Sequence, residues 1–216
     1  MDEKERRSAF LAALTTEHFT LQTAAVATVN ESASRASIYI LSLSSALVAI
    51  GFVSQSREAF GLFVASVLPG LFLLGLFTVT RLVDVSGEYM GCLGRIARIR
   101  NYYATLTPEA AEFFGPDLAL STGRSSIPAL QLGRGIAFLT TTATTVACVN
   151  NIVAGASVAL LVRWLLGSHR ISLAISAGVA STVILTAAFL IYQRWRFSMF
   201  DSPVASEPSS AHPSAR

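Results

Sequence analysis

The chain has 216 residues, of which 52% are hydrophobic and only 13% charged, with a mean hydropathy of +0.56. A soluble domain is about 25% charged, so this balance excludes a disordered chain, an ordinary water-soluble enzyme and a basic nucleic-acid-binding domain. The formal charge of +3 and the sequence pI of about 9.2 are therefore read as topogenic arginine and not as a nucleic-acid footprint.

Charge is absent from four windows: 36–56, 59–80, 135–162 and 171–193. Each is long enough for the roughly 20 apolar residues that a helix needs to cross the hydrocarbon layer. Barrel strands of about 10 residues are far shorter, and only helices and closed barrels satisfy their backbone groups in lipid. The expected fold is an all-α membrane protein with four transmembrane helices in two hairpins and a helical cytoplasmic layer. Thirteen of the 16 Lys and Arg lie before the first window, between the second and third, or after the fourth. The positive-inside rule then puts both termini and the middle segment on the cytoplasmic side of the membrane. The first apolar run starts too late for a cleavable signal, so span one is expected to act as an uncleaved anchor.

Residues 1–35 read as a cytoplasmic amphipathic helix. Asp2 and Glu5 form a capping pair at its start. Leu11, Leu14, His18, Leu21 and Ala25 mark one face by steps of three and four. That stripe is expected to pack on another helix, because it lacks the basic polar face of a membrane-surface helix. Glu31 and Arg35, four apart, form either an ordinary exposed pair or an interfacial one.

Residues 36–80 are the first hairpin. Pro69 lies inside span two and is a candidate hinge, with a merely structural kink as the commoner alternative. Residues 81–134 form a cytoplasmic helical segment and a loop. Leu82, Val85, Tyr89, Leu93, Ile96, Ile99 and Tyr103 continue an amphipathic stripe, so span two is expected to run on to about residue 105. Thr107-Pro108-Glu109 starts a further short helix. Arg95, Arg98 and Arg100 are candidate lipid-headgroup or anion contacts beside their simpler role as topogenic charge.

Residues 135–193 are the second hairpin, and 194–216 a basic end with a Ser/Pro/Ala-rich tail. Span three carries Thr144, Asn150, Asn151 and Gly155, candidates for a pore lining or a helix seam. An amide cannot face lipid without leaving its donors and acceptors unsatisfied. The two asparagines are adjacent and cannot share one face. Ala174 with Gly178, and Ala177 with Ser181, are small-residue pairs of the kind that let helices approach closely. The spans hold no Asp, Glu, Lys, Arg or His, which argues against a proton-coupled pump. No nucleophile elbow, metal-ligand spacing or phosphate loop is present, so the expectation is a non-enzymatic protein without cofactor or metal. Its partners are the lipid bilayer and further copies of itself; a small-molecule ligand is not identified.

The stretch LTTEHFTLQTAAVATVNESASRASIYILSLSSALVAIGF (14–52) resembles the opening of a family of uncharacterised bacterial integral membrane proteins. FTVTRLVDVSGEYMGCLGRIARIRNYY (77–103) is similar to the segment after that family's second span. The resemblance implies four spans and assigns no activity. The layout is also similar to two-span membrane effectors of bacterial nucleotide-signalling systems, which implies a signalling or pore-forming output. The alternative is a small transporter or channel with a polar site around Asn150 and Asn151.

Overall fold

The computed structural model describes residues 2–114, 141–167 and 170–200. Its first helix begins where the capping chemistry places it. The Asp2 side chain accepts from the Glu3 backbone N–H at 2.7 Å, and Glu5 accepts from the Asp2 N–H at 3.1 Å. This satisfies donors that the first helical turn leaves free. From there α1 runs Glu3–Val53, 51 residues without a break. At 1.5 Å per residue that is about 75 Å, more than twice the thickness of a hydrocarbon layer. The boundary expected at residue 35 is therefore not a break in the chain, because nothing between Ser32 and Ser37 caps or interrupts a helix.

A short turn at Ser54–Ser56 reverses the direction. Helix α2 spans Arg57–Ala104 and lies antiparallel to α1. It holds Pro69 in its interior and continues as helix on both sides of it. Thr107 accepts from the Ala110 N–H at 3.1 Å and opens α3, Pro108–Phe114, which folds back onto α2. Residues 116–134, expected to form a loop, lie outside the described residues, as do the first residues of the third charge-free window and the tail 201–216.

Helix α4 spans Thr142–Leu166, and Thr141 caps it by accepting from the Thr144 N–H. Its end carries Gly167 at φ +76°, a left-handed conformation that only glycine adopts without strain. Helix α5 spans Ile171–Phe200 and continues past the fourth charge-free window. Among the described residues every element is helical, and four of the five helices are long and apolar enough to cross a membrane. The chain therefore fits a multi-pass integral membrane protein.

Helix α2 is central. It packs against α1 along one side and α4 along another, while α5 packs on α4 and touches α2. The membrane-level core gathers Tyr39, Leu68, Val79, Leu82, Ala147 and Val153 from three helices. Outward from it, Leu62, Phe77 and Ile191 are well exposed, as expected of lipid-facing side chains. Both tryptophans are exposed at opposite ends of the second hairpin, Trp164 by 80% and Trp195 by 56%. Such amphipathic rings favour the two membrane–water interfaces.

Beyond the apolar windows, residues 3–35 of α1 and 81–104 of α2 form a two-helix stalk. Its seam holds Leu21, Ile96 and Ile99, with Leu14, Cys92 and Tyr103 around them. Phe10 meets Tyr102 edge to face at 5.5 Å, and Thr15 and Tyr103 share a hydroxyl contact of 3.4 Å. Leu21, Ala25 and Thr28 are the buried positions of the α1 stalk, so the apolar stripe packs on a helix. The thiols of Cys92 and Cys148 are free.

Candidate functional site

The polar residues within the apolar windows resolve into three bonded junctions. Asn150 and Asn151 follow one another on α4, and consecutive helical residues point about 100° apart. Each therefore serves a different neighbour. Asn150, 3% exposed, faces α1 and α2, and its Oδ1 accepts from the Tyr39 hydroxyl at 3.2 Å. Gly75 of α2 makes room for this pair. A Cβ there would overlap Asn150 Oδ1 and come within 2.8 Å of Tyr39 Cε2. Three helices thus meet at one tyrosine, one amide and one missing side chain.

Asn151, 7% exposed, faces α5 and donates through Nδ2 to Thr186 Oγ1 at 3.2 Å. One turn further along the seam, Thr182 donates to the Asn151 carbonyl at 3.2 Å and to the Gly178 carbonyl at 3.1 Å. Gly155 crosses Gly178 there. A Cβ on Gly155 would overlap Thr182 Oγ1 and stand 2.6 Å from the Gly178 carbonyl oxygen. One on Gly178 would stand 2.6 Å from the Gly155 carbonyl oxygen and 2.9 Å from Ala159 Cβ. Backbone contact this close is the arrangement that small residues permit in lipid.

The third junction closes the stalk-side end of the second hairpin. Gln193 is fully buried. Its Oε1 accepts from Thr144 Oγ1 at 3.1 Å, and its Nε2 donates to Thr141 Oγ1 at 3.1 Å. Thr141 and Thr144 share a further hydroxyl contact of 2.9 Å. Thr144, Asn151 and Gly155 lie at steps of seven and four on α4, so they form one face, and that face meets α5.

At the base of the stalk the charges gather into a collar. Glu31 accepts from Arg81 through both oxygens, at 2.9 and 3.2 Å, and from Arg35 at 2.8 Å. Arg81 also reaches Glu88 at 3.1 Å, and Arg196 of α5 reaches Asp84 at 3.3 Å. Hydrogen bonds from Arg81 and then Arg35 hold the Glu31 carboxyl below its ordinary value, and the Glu31 carboxylate raises Arg81. Glu31 therefore joins α1 to α2 in addition to forming the helix pair with Arg35 that its spacing suggests.

Arg95 and Arg98 are exposed and Arg100 half-buried, and none has an acidic partner among the described residues. Because α2 does not break at Arg81, Arg95 stands about 21 Å further along the axis at 1.5 Å per residue. That exceeds the screening length of about 8–10 Å at physiological salt. These arginines lie on the surface of the stalk. Pro69 and Gly70 are exposed on the outer side of α2.

Five partners escape a reading of the sequence: Tyr39, Gly75, Thr182, Thr186 and Gln193. Gln193 carries the clearest signal, as an amide just inside the fourth charge-free window. No protein-family model, curated protein or solved structure matches the chain.

Proposed function

We propose that the chain is a non-enzymatic bacterial inner-membrane protein, a homo-oligomeric signalling effector or pore whose stalk lies in the cytoplasm. In this reading both termini are cytoplasmic, and the thirteen-to-three distribution of Lys and Arg supports that orientation. One observation carries the reading. Helices α1 and α2 each continue from the stalk into the membrane bundle, and the Glu31–Arg81 pair clamps them where they enter. A displacement of the stalk is thereby delivered to the core around Tyr39 and Asn150 without a flexible joint.

The transporter reading draws no support from its candidate residues, because the Asn150 and Asn151 side chains are buried and bonded to protein. The test is membrane potential, followed with a voltage-sensitive dye in cells expressing the whole chain. Wild type is expected to depolarise the membrane. Ala33→Pro, which interrupts α1 at the collar, is expected to abolish depolarisation while the protein still inserts. Equal depolarisation by both, or none by wild type, overturns the proposal.

A further inference from the structure

The outward side of the α1 stalk is unlike a solvated helix surface. Between Arg7 and Glu31 the only charged residue is Glu17, and Glu17 lies about 120° round the helix from Thr23 at 100° per residue. The outward face itself carries Ala9, Ala12, Thr16, Thr20, Thr23 and Ala27, with exposed Phe19 (62%) and Val26 (60%) on its flank. The hydroxyls of this face are already engaged. Thr16, Thr20 and Thr23 donate to the carbonyls of Ala12, Thr16 and Phe19 at 3.0–3.1 Å. They present methyl groups outward. Thr16, Phe19, Thr20, Thr23, Ala24 and Ala27 line a groove to which no second helix contributes a wall.

We propose that this face is where two copies of the chain meet, α1 against α1 in parallel. The inference rests on the assembly reading above and adds its interface. Copies inserted with one topology share one orientation, so a symmetry axis along the membrane normal brings equal-numbered residues to equal height. Any charge on such a face meets its own like charge. The outward face of α2 fails this requirement, because Arg95 and Arg98 are exposed there without acidic partners among the described residues. The α1 face meets it over about 32 Å from Ala9 to Asn30. The same face continues through Ser34, Ser37, Leu41, Val48 and Phe52, all exposed. Taken from Ala9 to Phe52, a strip about 65 Å long and about 10 Å wide supplies about 650 Å², toward the lower end of the range centred on roughly 800 Å² per partner for a stable interface.

The test uses the full chain in lipid nanodiscs and bilayers, with association read by single-molecule photobleaching. Thr23→Glu places like charges opposite one another and is expected to weaken self-association about tenfold or more. Thr23→Lys is expected to do the same. Mixing Thr23→Glu with Thr23→Lys chains restores association, because equal-numbered positions then carry opposite charges. In a background carrying Cys92→Ser and Cys148→Ala, a bismaleimide is expected to cross-link Thr23→Cys chains and not Arg98→Cys chains. Association unaffected by either charge, or cross-linking through Arg98→Cys in place of Thr23→Cys, overturns the α1 face and leaves the assembly reading standing. A chain monomeric at every protein density overturns both.

Discussion

The stalk hairpin and the α4–α5 hairpin are both antiparallel helix pairs, yet they are held together differently. The stalk closes on Leu21, Ile96 and Ile99 and is pinned at its base by Glu31, Arg35 and Arg81. The second hairpin closes on Gly155 against Gly178 and on amide and hydroxyl bonds from Asn151 and Gln193. The solvent explains the contrast. In water, burying branched apolar side chains drives association. In lipid that drive vanishes, because the tails are as apolar as leucine. What remains is close backbone packing and polar groups that have no other partner. The same chain uses both solutions, and they meet on α2.

Glycine substitution gives the largest contrast. Gly155→Ala pushes a methyl toward the Gly178 carbonyl and is expected to destabilise the second hairpin by about 2 kcal/mol through forced helix separation. Gly94→Ala meets nothing within 4 Å. It is expected to stabilise the stalk by up to about 1 kcal/mol, since alanine is the better helix former. Unfolding midpoints in detergent should therefore move in opposite directions, and two shifts of the same sign would break the comparison.

A smaller effect is expected at Gln193. Gln193→Leu removes both of its hydrogen bonds to α4 and leaves the shape nearly filled. Interhelical hydrogen bonds in membranes contribute about 0.6 kcal/mol each, with a maximum near 1.7. A loss of about 1 kcal/mol is expected, insensitive to salt. A marked salt dependence of that loss would show that water reaches this junction.

The smallest effect lies in the collar, where the charges are partly exposed. In the folded chain the hydrogen bonds from Arg81 and then Arg35 hold the Glu31 carboxyl below the usual carboxylate range. Its contribution is present above about pH 4.5 and lost as the pH falls through the lower folded value. Hydrogen-exchange protection factors at the stalk base, corrected for the intrinsic rate at each pH, should fall on acidification and in high salt, and Glu31→Gln should remove that dependence. The α4–α5 amides should show neither response.

The fold was legible because its determinants are local. Charge-free windows, the Asp2 and Thr107 caps and the two apolar stripes, of Leu14 and Leu21 and of Ile96 and Ile99, each specify helix and face without reference to a partner. The continuity of α1 was hidden by a change of solvent at residue 35, which alters composition without altering backbone. The junctions were legible on one side only. Asn150 and Asn151 announce that they need partners, since an amide is costly to strand in lipid. Tyr39, 111 positions away in sequence, is an ordinary interfacial residue until three helices converge on it. Gly75 carries no signal of its own, because its function is to leave space.

Pro69 has no amide hydrogen, so the Ala65 carbonyl lacks its helical donor in the middle of the α2 span. Both residues lie on the outer side of the bundle, away from Tyr39 and Asn150. Pro69 stands about 18 Å along α2 from the Arg81 collar, and Pro69→Ala, which restores that hydrogen bond, is expected to stiffen the helix there.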